Sequence, residues 1–203
     1  MSSMKHLNGN LLCAVTIAAT GKDPIGNDLC AVCIAPLDND FTFSASRPMF
    51  LMHVRHDHEL RFDRSLTLEM RRDIVESMKY GSPPETVARC LEQWFDGLNL
   101  GYNKKIMPLA YNWPLVSQYL IDLLMWESFS QIFDWRFRDL LSYSICLNDR
   151  CDYQGVQYVT QKHGLQYLCN TYDAHYSKAS DICKQAEAIV HTYKRLRAVH
   201  VGL

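Results

Sequence analysis

The run from Leu11 to Ala18 constrains the fold more than any other part of the chain. At a period of two, Cys13, Val15 and Ile17 share one side, and Leu12, Ala14, Thr16 and Ala18 share the other. Both sides are mostly apolar, so both must be covered, which predicts a central strand with a packed layer above and another below. The stretch is interrupted by Thr16 and falls well short of the roughly 20 apolar residues that a membrane helix needs. No small-residue cleavage site follows it before Lys22 and Asp23, so no signal peptide is expected and the predicted setting is intracellular and cytoplasmic, with the nucleus open.

Turn formers fill Thr20 to Asp28, and a second apolar run, Leu29 to Leu37, follows. The two runs predict a hairpin. A third strand is expected within Phe41 to Val54, interrupted by Arg47-Pro48. Leu66, Met70, Ile74 and Met78 are spaced by four, which predicts a helix over 66–80 ended by Gly81. For the next helix Ser82 is the expected N-cap, Pro83 and Pro84 fit the first turn, Glu85 completes a capping box and Gly97 stops it. A short strand over Ile106 to Ala110, a helix from Trp113 to Met125, and a strand or short helix within Arg138 to Leu147 come next. A helix is then expected over Gly164 to Cys169, and a long one from Lys178 to Val199 with Ile182, Ala186, Ile189, Val190, Tyr193 and Leu196 inward. No repeat or linker interrupts this order, so one α/β domain spanning residues 1–203 is the economical reading.

Composition excludes several classes. With 48% apolar residues, 21% charged residues and a net charge of -1, the chain is neither disordered nor collagen-like, and it has no global field to attract nucleic acid. Any anionic ligand must be met locally. The eight cysteines sit inside apolar or helical runs and read as reduced thiols. Cys30 and Cys33 have zinc-knuckle spacing, but residues three apart in a strand point to opposite faces and no second pair follows. His56 and His58, with Asp57 or Glu59 beside them, offer transition-metal ligands, although such a polar run between elements is more often a solvated loop. Walker, Gly-x-Gly-x-x-Gly and Gly-x-Ser-x-Gly patterns are absent, which removes kinase, dinucleotide-binding and α/β-hydrolase readings.

Five segments, in order, resemble the DnaQ-like (DEDD) 3′-to-5′ exonucleases, which have an RNase H-like fold. Thr16-Ile17-Ala18-Ala19-Thr20-Gly21 is similar to the family's Asp-x-Glu-Thr-Thr-Gly opening. After a helix over Leu66 to Val75, Ser82-Pro83-Pro84 opens a helix ending in Glu92-Gln93-Trp94-Phe95, similar to a Pro…Ala…Phe…Trp segment of the family, and Pro108 to Leu120 resembles its second motif, His-Asn-x-x-Phe-Asp. Phe133 to Leu140 resembles the segment after that motif, and Tyr176 to Asp181 resembles the third motif, His-x-x-x-x-Asp. The likeness runs over residues 11–196. It implies a central mixed sheet of about five strands, with the first in the middle and helices on both faces.

What the resemblance implies for chemistry is a site with most of its ligands missing. The family holds two Mg²⁺ or Mn²⁺ ions on four carboxylates: two from the first strand at i and i+2, one from the helix after the second motif and one from the last helix. Carried over residue by residue, those places are Thr16, Ala18, Val116 and Asp181, so only Asp181 keeps a carboxylate. The general-base histidine of the family stands five residues before the last Asp, or a tyrosine four before; here Tyr176 is five before Asp181 and His175 six before. Asp23 and Asp122 are the alternative carboxylates. As nucleic-acid contacts the resemblance and composition nominate Thr20, Asn112, Trp113, Arg136 and Arg138, with Trp113 either stacking on a base or packing under the sheet. The implied function is binding, or acting on, single-stranded DNA or RNA 3′ ends with catalysis impaired, Mg²⁺ or Mn²⁺ being needed if it is active and no cofactor otherwise. The alternative is a non-catalytic interaction protein, a scaffold or inhibitor with a protein partner. A homodimer is open, and no membrane partner is expected.

Overall fold

The computed structural model describes residues 7–176 and 181–202. Its centre is a five-stranded mixed sheet in the order β3-β2-β1-β4-β5. The strands are β1 (Leu11–Ala19), β2 (Leu29–Pro36), β3 (Phe50–His53), β4 (Ile106–Ala110) and β5 (Arg138–Asp139). β1 pairs antiparallel with β2 and parallel with β4. It therefore occupies the middle, as its two apolar faces require. The described helices are α1 (Leu68–Met78), α2 (Pro84–Gly97), α3 (Trp113–Ile132), α4 (Leu140–Gln154), α5 (Leu165–Thr171) and α6 (Ile182–Gly202). None is long and apolar enough to cross a membrane.

The two faces of β1 seed two cores. Cys13 and Val15 pack with Val87 and Leu91 of α2 and with Val116 and Leu120 of α3. Leu12 and Ala14 pack on the other side with Leu140 and Leu147 of α4, Leu168 of α5 and Ile182, Ala186, Ile189 and Leu196 of α6. Burial of side chains this size stabilises the fold by roughly 1.5–3 kcal/mol each before entropy is charged. The cysteines are all free thiols. Burial, then neighbouring Cys183 with its sulfur 3.9 Å away, pushes the Cys33 thiol up to about 12.

Local details depart from expectation in four places. Ser82 is not a helix cap: its N–H donates to His53 O at 3.0 Å and its carbonyl accepts from Arg55 at 2.8 Å, so it extends the sheet edge beside Val54. α2 starts after Pro83, with no side-chain cap, because proline's fixed φ pre-organises the first turn without one. α3 is broken at Met125, where φ is 60° and ψ 155°, so the expected helix from Trp113 does end there; a second helical piece follows the kink to Ile132 and brings Phe129 back to within 6.2 Å of the Trp113 ring. The segment after Arg138 is both a strand and a helix: Asp139 ends β5 and caps α4, accepting from Ser142 N at 3.2 Å. The expected start of the last helix, Lys178 to Ser180, lies outside the described residues, and Thr67 caps α1 two residues later than the periodicity suggested.

A candidate cleft at the ends of β1 and β4

β1 and β4 are parallel, so their C-terminal ends open on the same side of the sheet, where ligands of open α/β sheets bind. The chain turns sharply there. Asn112 takes a left-handed conformation, φ 59°, which asparagine tolerates better than most residues, and its N–H donates to Asp139 Oδ1 at 2.6 Å. Asp139 is buried and also accepts from Trp113 N at 3.3 Å and from the Ser142 hydroxyl at 2.6 Å. One carboxylate thus fixes the start of α3, the start of α4 and the end of β5.

The cleft has a volume of about 310 Å³, and Thr16, Lys22, Asn112, Val116, Tyr119 and Gln185 are among its lining residues. A smaller hollow of about 160 Å³ adjoins it, lined by Ala18, Tyr176, Gln185 and Met70 among others. Gln185 belongs to both. Of the four inferred ligand places, Thr16 and Val116 line the first hollow and Ala18 the second, with Thr16 on the α6 side of the sheet and Val116 packed on the α2–α3 side. Asp181 lines neither. It begins α6, accepts from Lys184 N at 3.0 Å and pairs with Lys184 Nζ at 3.4 Å. Gln185, one turn further on, is the polar α6 residue in the cleft, beside Ile189.

The polar side chains lining this cleft, among the described residues, are the hydroxyls of Thr16, Tyr111 and Tyr119, the amides of Asn112 and Gln185 and the Lys22 ammonium, with no carboxylate. Among the described residues, no group of three His, Cys, Asp or Glu side chains surrounds it. Mg²⁺ and Mn²⁺ need several anionic oxygens to replace their water, so the residues present do not fit the two-ion site of the resembled family. Thr16 has another role, since its Oγ1 donates to Ile182 O at 2.8 Å and ties α6 to the central strand. Asp23 caps its own turn by accepting from Ile25 N at 3.1 Å, and Asp122 lines a different hollow.

The remaining candidates lie as follows. Tyr176 is half-buried beside Ala18, and burial pushes its hydroxyl pKa up, whereas His175 is exposed. Trp113 is only 5% exposed, and Phe129, Phe133 and Phe137 surround its ring at centroid distances of 5.6–6.4 Å, so it packs in the core instead of stacking on a base. Thr20 is fully buried and its hydroxyl accepts from Asp28 N at 2.8 Å; it shapes the turn and cannot meet a ligand. Arg136 pairs with Asp134 at 2.9 Å and holds that carboxyl below its usual range. Arg138 lies half-buried against Met107 on the α6 side of the sheet. Neither arginine lines the cleft. Sequence reasoning missed Gln185 and Lys22; the available signal for Gln185 was a polar side chain amid the apolar stripe of Ile182, Ala186 and Ile189.

A larger hollow, about 810 Å³, opens at the other end of β1 between Asn10, Asp38, Asp40, Arg47 and Asn99. There Asp40 is engaged with Thr42, Asn99 with Gly97 and Asn10 with Asp134, and among the described residues no group of three metal-ligating side chains lines the hollow. The cleft at the strand ends is the better candidate on chemistry.

No family model matches the chain, and no curated protein is similar to it in sequence. Solved structures do match. A product-bound exonuclease I superposes with a TM-score of 0.71 at 12% identity, over 93% of this chain and 43% of that one. E. coli exonuclease I in complex with a dT13 oligonucleotide gives 0.69 at 12% identity, over 95% and 43%. The zinc-bound form of the E. coli exonuclease I complex with single-stranded DNA also gives 0.69 at 12% identity, over 93% and 41%. The chain has the fold of exonuclease I. It spans about two fifths of the length of those chains, and at this identity the likeness is one of fold.

Proposed function

We propose that this chain is an exonuclease-fold domain that binds the 3′ end of a single-stranded nucleic acid in the cleft at the ends of β1 and β4, without hydrolysing it. The observation that carries this reading is the lining itself. Asn112 and Lys22 bring a neutral amide and a single cation to a cleft whose Thr16, Val116 and Gln185 stand where a nuclease needs carboxylates. The Asn112 amide suits a terminal ribose or deoxyribose hydroxyl or a base edge, while Lys22 suits one phosphate. The exonuclease I neighbours, two of them in complex with oligonucleotide or single-stranded DNA, support the choice of ligand class. An intracellular location goes with this reading.

Fluorescence anisotropy with short DNA and RNA strands carrying a free or a phosphorylated 3′ end tests it. Expected are binding at low salt, weakening by a 3′ phosphate and by Lys22→Glu, a shallow salt dependence because few phosphates are neutralised, and no cleavage with Mg²⁺ or Mn²⁺. No retention of either strand at low salt overturns it.

A second reading, an interaction domain with a protein partner, is favoured by one observation. Met125, Trp126, Trp135 and Phe137 are exposed at the far end of α3, and the rings of Trp126, Phe129, Trp113 and Phe137 form a connected series. Aromatic clusters of this kind are enriched where proteins meet. Sedimentation of the chain alone separates a second copy from a foreign partner: concentration-dependent dimerisation abolished by Trp126→Ala supports the homodimer.

A further inference from the structure

We propose that Asp28, His56 and His58 form a zinc-binding site at the base of the β1–β2 turn. The three side chains come from two segments that the sheet brings together. Asp28 precedes β2, the histidines follow β3, and Val54 N donates to Cys30 O at 2.8 Å where the two strands run side by side. One donor atom from each of the three lies within 4.8 Å of the other two.

The geometry of the individual groups fits a metal. His58 Nε2 lies 3.0 Å from Asp28 Oδ1; two tetrahedral zinc ligands, each roughly 2.0–2.2 Å from the ion, stand about 3.3 Å apart. His56 Nε2 lies 2.7 Å from Leu29 O. A carbonyl only accepts, so Nε2 carries the proton and Nδ1 keeps its lone pair. Metal-bound histidines are oriented in this way, the second ring nitrogen donating to a carbonyl or carboxylate. Asp28 is held by its own backbone, whose N–H donates to Thr20 Oγ1 at 2.8 Å.

Two imidazoles and one carboxylate favour a borderline cation such as Zn²⁺ over Mg²⁺ or Ca²⁺. Asp28 and His56 also line a hollow of about 160 Å³ shared with Asp122 and Tyr119, which leaves room for a water beside the ligands. The carboxylate partner is thus Asp28, some thirty residues earlier in the chain, and not the adjacent Asp57 or Glu59. Bound zinc would clamp the turn that carries Gly21 and Lys22, and so stiffen one wall of the cleft. The site stands whether or not the cleft binds nucleic acid.

The test is zinc titration of the chelator-stripped chain at neutral pH against a competing chromophoric chelator, with Co²⁺ as a spectroscopic stand-in. Expected are one tight equivalent and a higher melting temperature. Co²⁺ should show visible d–d bands without the near-ultraviolet charge transfer that thiolates give. His58→Ala, at the surface, and Asp28→Asn, half-buried but isosteric, should each weaken zinc binding roughly tenfold or more while leaving the metal-free melting temperature in place; His56→Gln serves should either fail to fold. Absence of a stoichiometric equivalent, uptake unchanged in these variants, or a thiolate charge-transfer band from the cysteines overturns the proposal.

Discussion

Thr16 Oγ1 donates a 2.8 Å hydrogen bond to Ile182 O, joining the central strand to the start of α6. The resembled nucleases are implied to link these two elements through metal-bound carboxylates; here a buried hydroxyl does so directly. Thr16→Val keeps the shape and removes the donor. Its expected cost is about 1 kcal/mol, the net worth of one buried hydrogen bond, read as a lower urea midpoint with an unchanged slope. An unaltered midpoint would mean that the bond contributes nothing.

Asp139 bears more of the structure. Its carboxylate accepts from Asn112 N, Trp113 N, Ser142 N and the Ser142 hydroxyl. Asp139→Ala strands several buried donors and uncaps α4, so a loss of about 3 kcal/mol or more is expected. Asp139→Asn keeps an acceptor and should recover part of it. Chemical denaturation of both variants measures the difference, and equal stability of Asp139→Ala and the parent would contradict the assignment.

Alkaline pH should weaken the fold. Burial, then the nearby Asp23, pushes the Tyr119 hydroxyl from its ordinary 10 up to about 12, and that hydroxyl donates to Gly21 O at 3.0 Å. The folded state therefore holds a proton that the unfolded chain releases. By linkage the contribution is complete below pH 10 and is lost as pH rises from 10 towards 12. Cys33, raised from 9 to about 12, acts in the same direction and starts earlier. Tyr119→Phe should flatten the upper part of the melting-temperature profile; a profile as steep as that of the parent would assign the loss to the thiols alone.

Putting carboxylates back should bring metal dependence with them. Thr16→Asp, Ala18→Glu and Gln185→Asp place three acids around the two adjoining hollows, where Gln185 lies between the others. Mutual repulsion and the lost bond to Ile182 should lower the metal-free melting temperature. Mg²⁺, which two imidazoles and one carboxylate hold poorly, should then restore stability, by about 2.7 kcal/mol at a hundredfold excess over Kd. The parent chain should not respond. A folded triple variant indifferent to Mg²⁺ would show that the three positions do not share an ion.

The sequence by itself determined the frame. Period-two burial on both sides of Leu11 to Ala18 puts β1 in the middle of a sheet covered on both faces, and spacing by four and three along Ile182, Ala186 and Ile189 lays α6 against it, because burial of apolar area depends on patterns that a sequence displays directly. What it could not show is which polar residues meet. Trp113 reads equally well as a stacking platform or as core until Phe129, Phe133 and Phe137 enclose it. Asp181 and Gln185 are one helical turn apart, and the pitch of α6 over the sheet sends the amide into the cleft and leaves the acid with Lys184. Asp28 meets His58 because β2 and β3 pair, a contact thirty residues long in sequence and 3.0 Å long in space. Hydrophobic pattern is local and additive along the chain, whereas a hydrogen bond or a ligand set depends on atoms placed to within a few tenths of an ångström by distant segments, and only tertiary packing sets those distances.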